Sequence, residues 1–94
     1  MKILAIENEI EGLEWDKLGD LLKDEARHVY DLYLSNAVRE IYFTENRNAV
    51  LVMETEDKKA AIKLLDTLPL VKSGKIKFEV MELRPYTGYE RIMK

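Results

Sequence analysis

The sequence predicts an α+β domain whose elements run β-α-β-β-α-β, and three observations predict it. Arg39 to Met53 reads as two β-rich runs around the polar turn Glu45-Asn46-Arg47-Asn48, a hairpin signal. From about Trp15 to Leu34 the apolar period changes to steps of three and four, the mark of a helix. Strand-like runs open the chain at Ile3 and close it near Leu83, with a second helical stretch before the last one.

Strand one is expected over Ile3 to Glu9, where Ile3-Leu4-Ala5-Ile6 is apolar on consecutive positions, so both of its faces need cover. Gly12 belongs to the loop that follows. In the first helix Trp15, Leu18, Leu22, Ala26, Val29 and Tyr33 form the stripe expected to be buried, which makes Trp15 and Tyr33 core residues. A second line, Leu21, Glu25, His28 and Leu32, runs beside it. Gly19 weakens the start of the helix by roughly 1 kcal/mol relative to Ala. Ser35-Asn36 ends it, because Asn suits a left-handed terminator.

Strand two spans about Val38 to Thr44 and strand three Ala49 to Glu54, with Asn46 and Asn48 suited to the turn between them. Thr55 is the expected cap of helix two, Ala61, Leu64, Leu65 and Leu68 its buried stripe, and Pro69 its stop. Leu70 to Gly74 reads as a connector. Strand four runs from Ile76 to about Leu83, with Phe78 and Val80 on one face and Met81 and Leu83 on the other, and Pro85 ends it. In the tail, Tyr86 and Tyr89 are expected to dock on a neighbouring subunit.

This order is the ferredoxin-like arrangement: a four-stranded, mostly antiparallel sheet with two helices on one face. Two helices cover one face only, while strands one, three and four are apolar on both. A second copy related by a two-fold axis is the simplest cover for the other face. The expectation is a homodimer with sheets face to face, and a single domain over residues 1–94.

Composition narrows the function classes. The net charge of −3 lacks the basic face of a phosphate-backbone binder, so no nucleic-acid partner is expected. Nor do strands one and three offer the aromatics that an RNA-binding domain of this topology uses. The absence of Cys removes disulfides, thiolate metal sites and Cys nucleophiles, and fits a reducing cytoplasm. No apolar run approaches the ~20 residues of a membrane span, so no membrane partner is expected. No metal site and no Gly-rich phosphate loop is read from the residues.

His28 is the only histidine and titrates naturally near neutrality. Glu25 lies three residues earlier on the same helical face. The two fit a catalytic acid/base pair that removes and returns a proton next to a carbonyl, and they also fit a helix-surface ion pair. Arg39 has the fork of donors that binds a substrate carboxylate, or it makes a salt bridge to Glu25 or Glu40. Strand alternation puts Arg39, Ile41 and Phe43 on one face and Glu40, Tyr42 and Thr44 on the other. If the helix packs on the Ile41 face, Arg39 joins Glu25 and His28, while Glu40 and Tyr42 point into the dimer interior as further catalytic candidates; if the packing is reversed, Glu40 and Tyr42 meet the helix instead. A mostly buried Glu40 beside Tyr42 is then an acid with a raised pKa.

Leu68-Pro69-Leu70, followed by Ile76-Lys77-Phe78-Glu79-Val80 and Leu83-Arg84-Pro85, resembles the C-terminal third of muconolactone isomerases. Asp24-Glu25 followed by Arg39 is similar to the same family, and element order extends the resemblance over essentially the whole chain. The resemblance implies a dimeric α+β barrel, higher oligomers, and cofactor-free proton transfer that moves a double bond in a small lactone acid. Where the family pattern has His after the Arg this chain has Glu40, and where it has Trp two residues further it has Tyr42. A changed residue beside Arg39 signals either a changed substrate or a lost one. The competing expectation is a homodimeric binding or structural module without catalysis.

Overall fold

In a computed structural model, residues 1–10 and 14–93 are described. Gly12 lies outside them. One sheet holds β1 (Lys2–Glu9), β2 (Val38–Phe43), β3 (Ala49–Glu54) and β4 (Ile76–Leu83) in the order β2-β3-β1-β4. All three pairings are antiparallel, with Ala5 opposite both Leu51 and Val80. The helices α1 (Gly19–Leu34) and α2 (Lys58–Leu65) make this the ferredoxin-like α+β fold.

Period-two alternation decides which face meets the helices. Ile3, Ala5, Leu51, Met53 and Val38 are buried together with Leu32, Ala61, Leu65 and Leu68. Phe78 and Val80 pack against this core, as their expected common face requires. Each large side chain so buried contributes about 1.5–3 kcal/mol of hydrophobic stabilisation. On the opposite face Leu4, Ile6, Val50, Val52 and Met81 are only half-buried within one chain, and no helix among the described residues covers them.

Helix one differs from expectation in two ways. Trp15–Lys17 is a separate 3₁₀ turn, and α1 begins only at Gly19, whose φ of +37° is outside helical geometry. The helix also turns its other stripe inward. Leu32 is buried and Leu21, Glu25, His28 and Val29 are half-buried, whereas Leu22, Ala26 and Tyr33 are exposed and Trp15 is half-buried. The expected core roles of Trp15 and Tyr33 are therefore not realised in the single chain. The reason is hydrogen bonding, since Glu25 and His28 both bond the segment that follows α2.

Around α2 three local expectations also change. Asp57, not Thr55, caps the helix, its Oδ1 accepting from the Ala60 N–H at 2.8 Å. Thr55 instead donates its hydroxyl to the Asp57 carbonyl at 2.7 Å. The helix stops at Leu65, and Pro69 opens a further short helix, α3 (Pro69–Lys72), in place of a connector. Proline suits that position because the first helical N–H has no partner to lose. In the β2–β3 turn Arg47, rather than Asn46 or Asn48, takes the left-handed conformation, at φ +65°. Asn36 does so after α1 as expected, at φ +68°.

Beyond β4 the chain leaves the sheet. Gly88–Ile92 forms a 3₁₀ turn, and the Tyr86 and Tyr89 rings meet edge to face at 4.9 Å. Tyr86 covers the Cα of Gly88 so closely that a Cβ there would meet its ring and hydroxyl. Tyr86, Tyr89, Ile92 and Met93 all stay exposed. The radius of gyration is accordingly 15.4 Å, against about 12 Å for a compact domain of this length.

Candidate functional site

Helix α1 brings Glu25 and His28 to one place. Glu25 Oε1 accepts the backbone N–H of Leu70 at 2.9 Å, so it satisfies an otherwise open donor in the first turn of α3. His28 Nε2 lies 3.0 Å from Thr67 Oγ1, and Thr67 donates its own hydrogen to the Leu64 carbonyl at 2.6 Å. The hydroxyl can then only accept, so the Nε2–H of His28 donates to it. Nδ1 of a neutral ring is left as the basic nitrogen.

A carboxylate that the sequence reading passed over lies under this pair. Glu7 follows Ile3 and Ala5 on the helix-facing side of β1 and is 4% exposed. Its Oε1 accepts the Ala49 N–H at 3.1 Å, while Oε2 is buried with no hydrogen-bond partner among the described residues. Strand alternation was the signal, since residue 7 keeps the phase of Ile3 and Ala5.

Electrostatics follow from this burial. Desolvation pushes the Glu25 carboxyl above its ordinary range, against the Leu70 N–H and the His28 charge, and the Glu7 charge adds to the rise. Glu7 is raised first by desolvation and further by Glu9, with the Ala49 N–H opposing. Burial thus favours the protonated form of both carboxyls relative to an exposed glutamate.

Arg39 does not join them. Helix α1 packs on the Ile41 side as one arrangement requires, but a bulge between Val38 and Glu40 breaks the alternation. Val38 lies opposite buried Met53, and Ile41 opposite buried Leu51. Arg39 is the extra residue. Its Nε donates to the Asn36 carbonyl at 2.8 Å, and its charge helps lower the Glu54 carboxyl, which the N-terminal ammonium lowers most.

Glu40 and Tyr42 stand on the uncovered face, opposite Val52 and Val50. The Tyr42 hydroxyl donates to Glu40 Oε1 at 2.8 Å, and this bond holds the phenol pKa above its ordinary value. Both residues are exposed in the single chain, so the buried setting expected for Glu40 is absent there. A shallow groove of about 310 Å³ between α2 and β4, lined by Ile62, Leu65, Phe78 and Val80, contains none of these groups. Among the described residues no three His, Asp or Glu side chains cluster in a way that can hold a metal ion.

No family model and no curated protein matches the sequence. Among solved structures, the fold is similar to 5-chloro-2-hydroxyhydroquinone dehydrochlorinase (TftG) from Burkholderia phenoliruptrix AC1100, in complex with 2,5-dihydroxybenzoquinone. The TM-score is 0.63 at 17% identity, over 94% of this chain and 98% of that one. At that identity the match establishes the fold, and the chain is placed in the ferredoxin-like α+β class. Among the described residues no helix is long and apolar enough to cross a membrane.

Proposed function

We propose that this chain is a single-domain, homodimeric, cytoplasmic enzyme that isomerises a small lactone or carboxylic acid by proton transfer, without a cofactor. One observation carries the reading: Glu25 and His28 sit together, half-buried, each anchored to the Leu64–Leu70 segment and each with one further basic atom. A base placed in this way removes a proton next to a carbonyl and returns it at another carbon. The small-molecule enzyme that shares the fold, crystallised with an oxygenated ring, supports a substrate of similar size. The resemblance to muconolactone isomerases supports the reaction type.

The uncovered sheet face supports the homodimer. Face-to-face packing would bury Leu4, Ile6, Val50, Val52 and Met81, and would enclose the Glu40–Tyr42 pair in the barrel interior. Arg39 lies apart from Glu25 and His28, so in one chain it holds no carboxylate for them. That separation favours a second reading, a non-catalytic homodimeric ligand-binding or structural module.

The test is an ultraviolet assay on muconolactone and related lactone acids, which follows migration of the double bond. The isomerase reading expects turnover, and a fall of at least ~100-fold in His28→Ala with the dimer intact. No turnover across the panel would favour the module.

A further inference from the structure

Two apolar features of the chain lack a partner. The first is the arm that follows β4. Its Tyr86, Tyr89, Ile92 and Met93 are between 63% and 77% exposed. They are nonetheless held in shape. Gly88–Ile92 is a 3₁₀ turn, the Tyr86 and Tyr89 rings meet edge to face, and Tyr86 takes the space that any Cβ on Gly88 would need. An apolar arm ordered in advance has already lost freedom that binding would otherwise cost.

The second feature is the groove between α2 and β4, at an edge of the sheet. Ile62, Phe78 and Val80 give it an apolar lining, and no residue of the arm contributes to it. Lys58, Lys77 and Asp66 also line it, and none of the three forms a salt bridge among the described residues.

The arm can fill the groove of its own chain only by reversing course. Phe78 precedes Leu83 by five residues, about 17 Å of strand, and the arm starts beyond that end. A long axis of 58 Å, against 27 Å and 19 Å on the others, fits an arm that leads away from the body. A second copy removes the difficulty, because a two-fold axis brings each arm to the other groove and satisfies both features twice. The charges agree. Arg84 is taken up by Glu82 of its own chain, which leaves Glu90 and Arg91 side by side on the arm. Glu90 complements Lys58 and Lys77, and Arg91 complements Asp66.

We propose that the two copies of the homodimer exchange arms, with residues 86–93 of each seated in the α2–β4 groove of the other. The inference rests on the homodimer reading and not on the reaction. Four side chains bury far less than the ~800 Å² per partner of a standard interface, so the arms secure a dimer that the sheet faces form.

The sequence has no Cys, so a spin label can be directed to one introduced site. Thr87→Cys serves, since Thr87 is exposed and its side chain makes no cap bond. Spin-labelled Thr87→Cys chains are refolded together with ¹⁵N-labelled chains of the natural sequence, and only the latter are seen by NMR. The expected result is paramagnetic broadening of the Ile62, Phe78 and Val80 amides. It is lost when Tyr89→Ala is added to the spin-labelled chain or Ile62→Asp to the other. Tyr89 is exposed, so its variant decides alone if Ile62→Asp does not fold. Broadening centred on the uncovered sheet face or on α1, or broadening unchanged by Tyr89→Ala, overturns the inference. Sedimentation of the same samples separates the two readings. A dimer without broadening at the groove overturns arm exchange alone, whereas a monomer overturns the homodimer and the exchange together.

Discussion

His28 Nε2 sits 3.0 Å from Thr67 Oγ1, and the hydroxyl spends its hydrogen on the Leu64 carbonyl. The imidazole is therefore held as a donor at Nε2, with Nδ1 free. Thr67→Val keeps the shape and removes the acceptor. Nitrogen NMR of the imidazole is expected to show Nε2–H dominant in the wild type and a mixture of tautomers in Thr67→Val. An unchanged spectrum would show that Thr67 does not hold the ring.

The rotation of α1 gives a stability prediction. Leu32 is 8% exposed, so Leu32→Ala is expected to cost about 2–5 kcal/mol. Tyr33, 51% exposed, belonged to the stripe expected inside, and Tyr33→Ala is expected to stay within about 0.5 kcal/mol. Urea unfolding of the two variants checks the order. Equal losses would mean that the outer stripe is also buried, by a partner.

Much of the fold was legible because β residues advertise both pairing and phase. Ile3, Ala5, Leu51, Met53, Phe78 and Val80 alternate in step and end on one face. The helix was harder. Its inward stripe carries Glu25 and His28, which look like surface residues until their backbone and hydroxyl partners near Leu70 and Thr67 are known. Those partners lie roughly forty positions away, beyond any local period. The bulge at Arg39 has no sequence mark either, and Arg39, bonded to the Asn36 carbonyl, stands apart from Glu25 and His28. Glu7 was legible in phase alone, since it follows Ile3 and Ala5 at the period of the strand.

Stability should fall as pH rises through the range where the buried carboxyls ionise. Desolvation raises both Glu7 and Glu25, so the native state holds their protons longer than the unfolded chain does. Their unfavourable contribution is absent below the unfolded value of about 4.3 and grows up to the raised native values. Glu54, lowered chiefly by its bond to the N-terminal ammonium, has the opposite sign: its contribution is present above about 4.3 and is lost as pH falls through its native value. The clean comparison is wild type against Glu7→Gln by urea unfolding from pH 4 to 8. The variant is expected to gain on the wild type as pH rises. A constant difference would mean that Glu7 titrates alike in both states.

The uncovered face predicts assembly. At micromolar concentration the protein is expected to sediment as a dimer. Val52→Lys, at the centre of that face opposite Leu4 and Glu40, is expected to make it monomeric without unfolding it. A monomeric wild type would contradict the face-to-face dimer.

The central claim is proton transfer at Glu25 and His28, and isotope exchange tests it without requiring net turnover. Lactone acids incubated with the protein in heavy water are followed by proton NMR at the carbons next to the carbonyl. The account predicts deuterium entry with the wild type, and at least ~100-fold slower entry with His28→Ala and with Glu25→Gln. Exchange that proceeds equally in those variants, or none at all with the wild type, would contradict it.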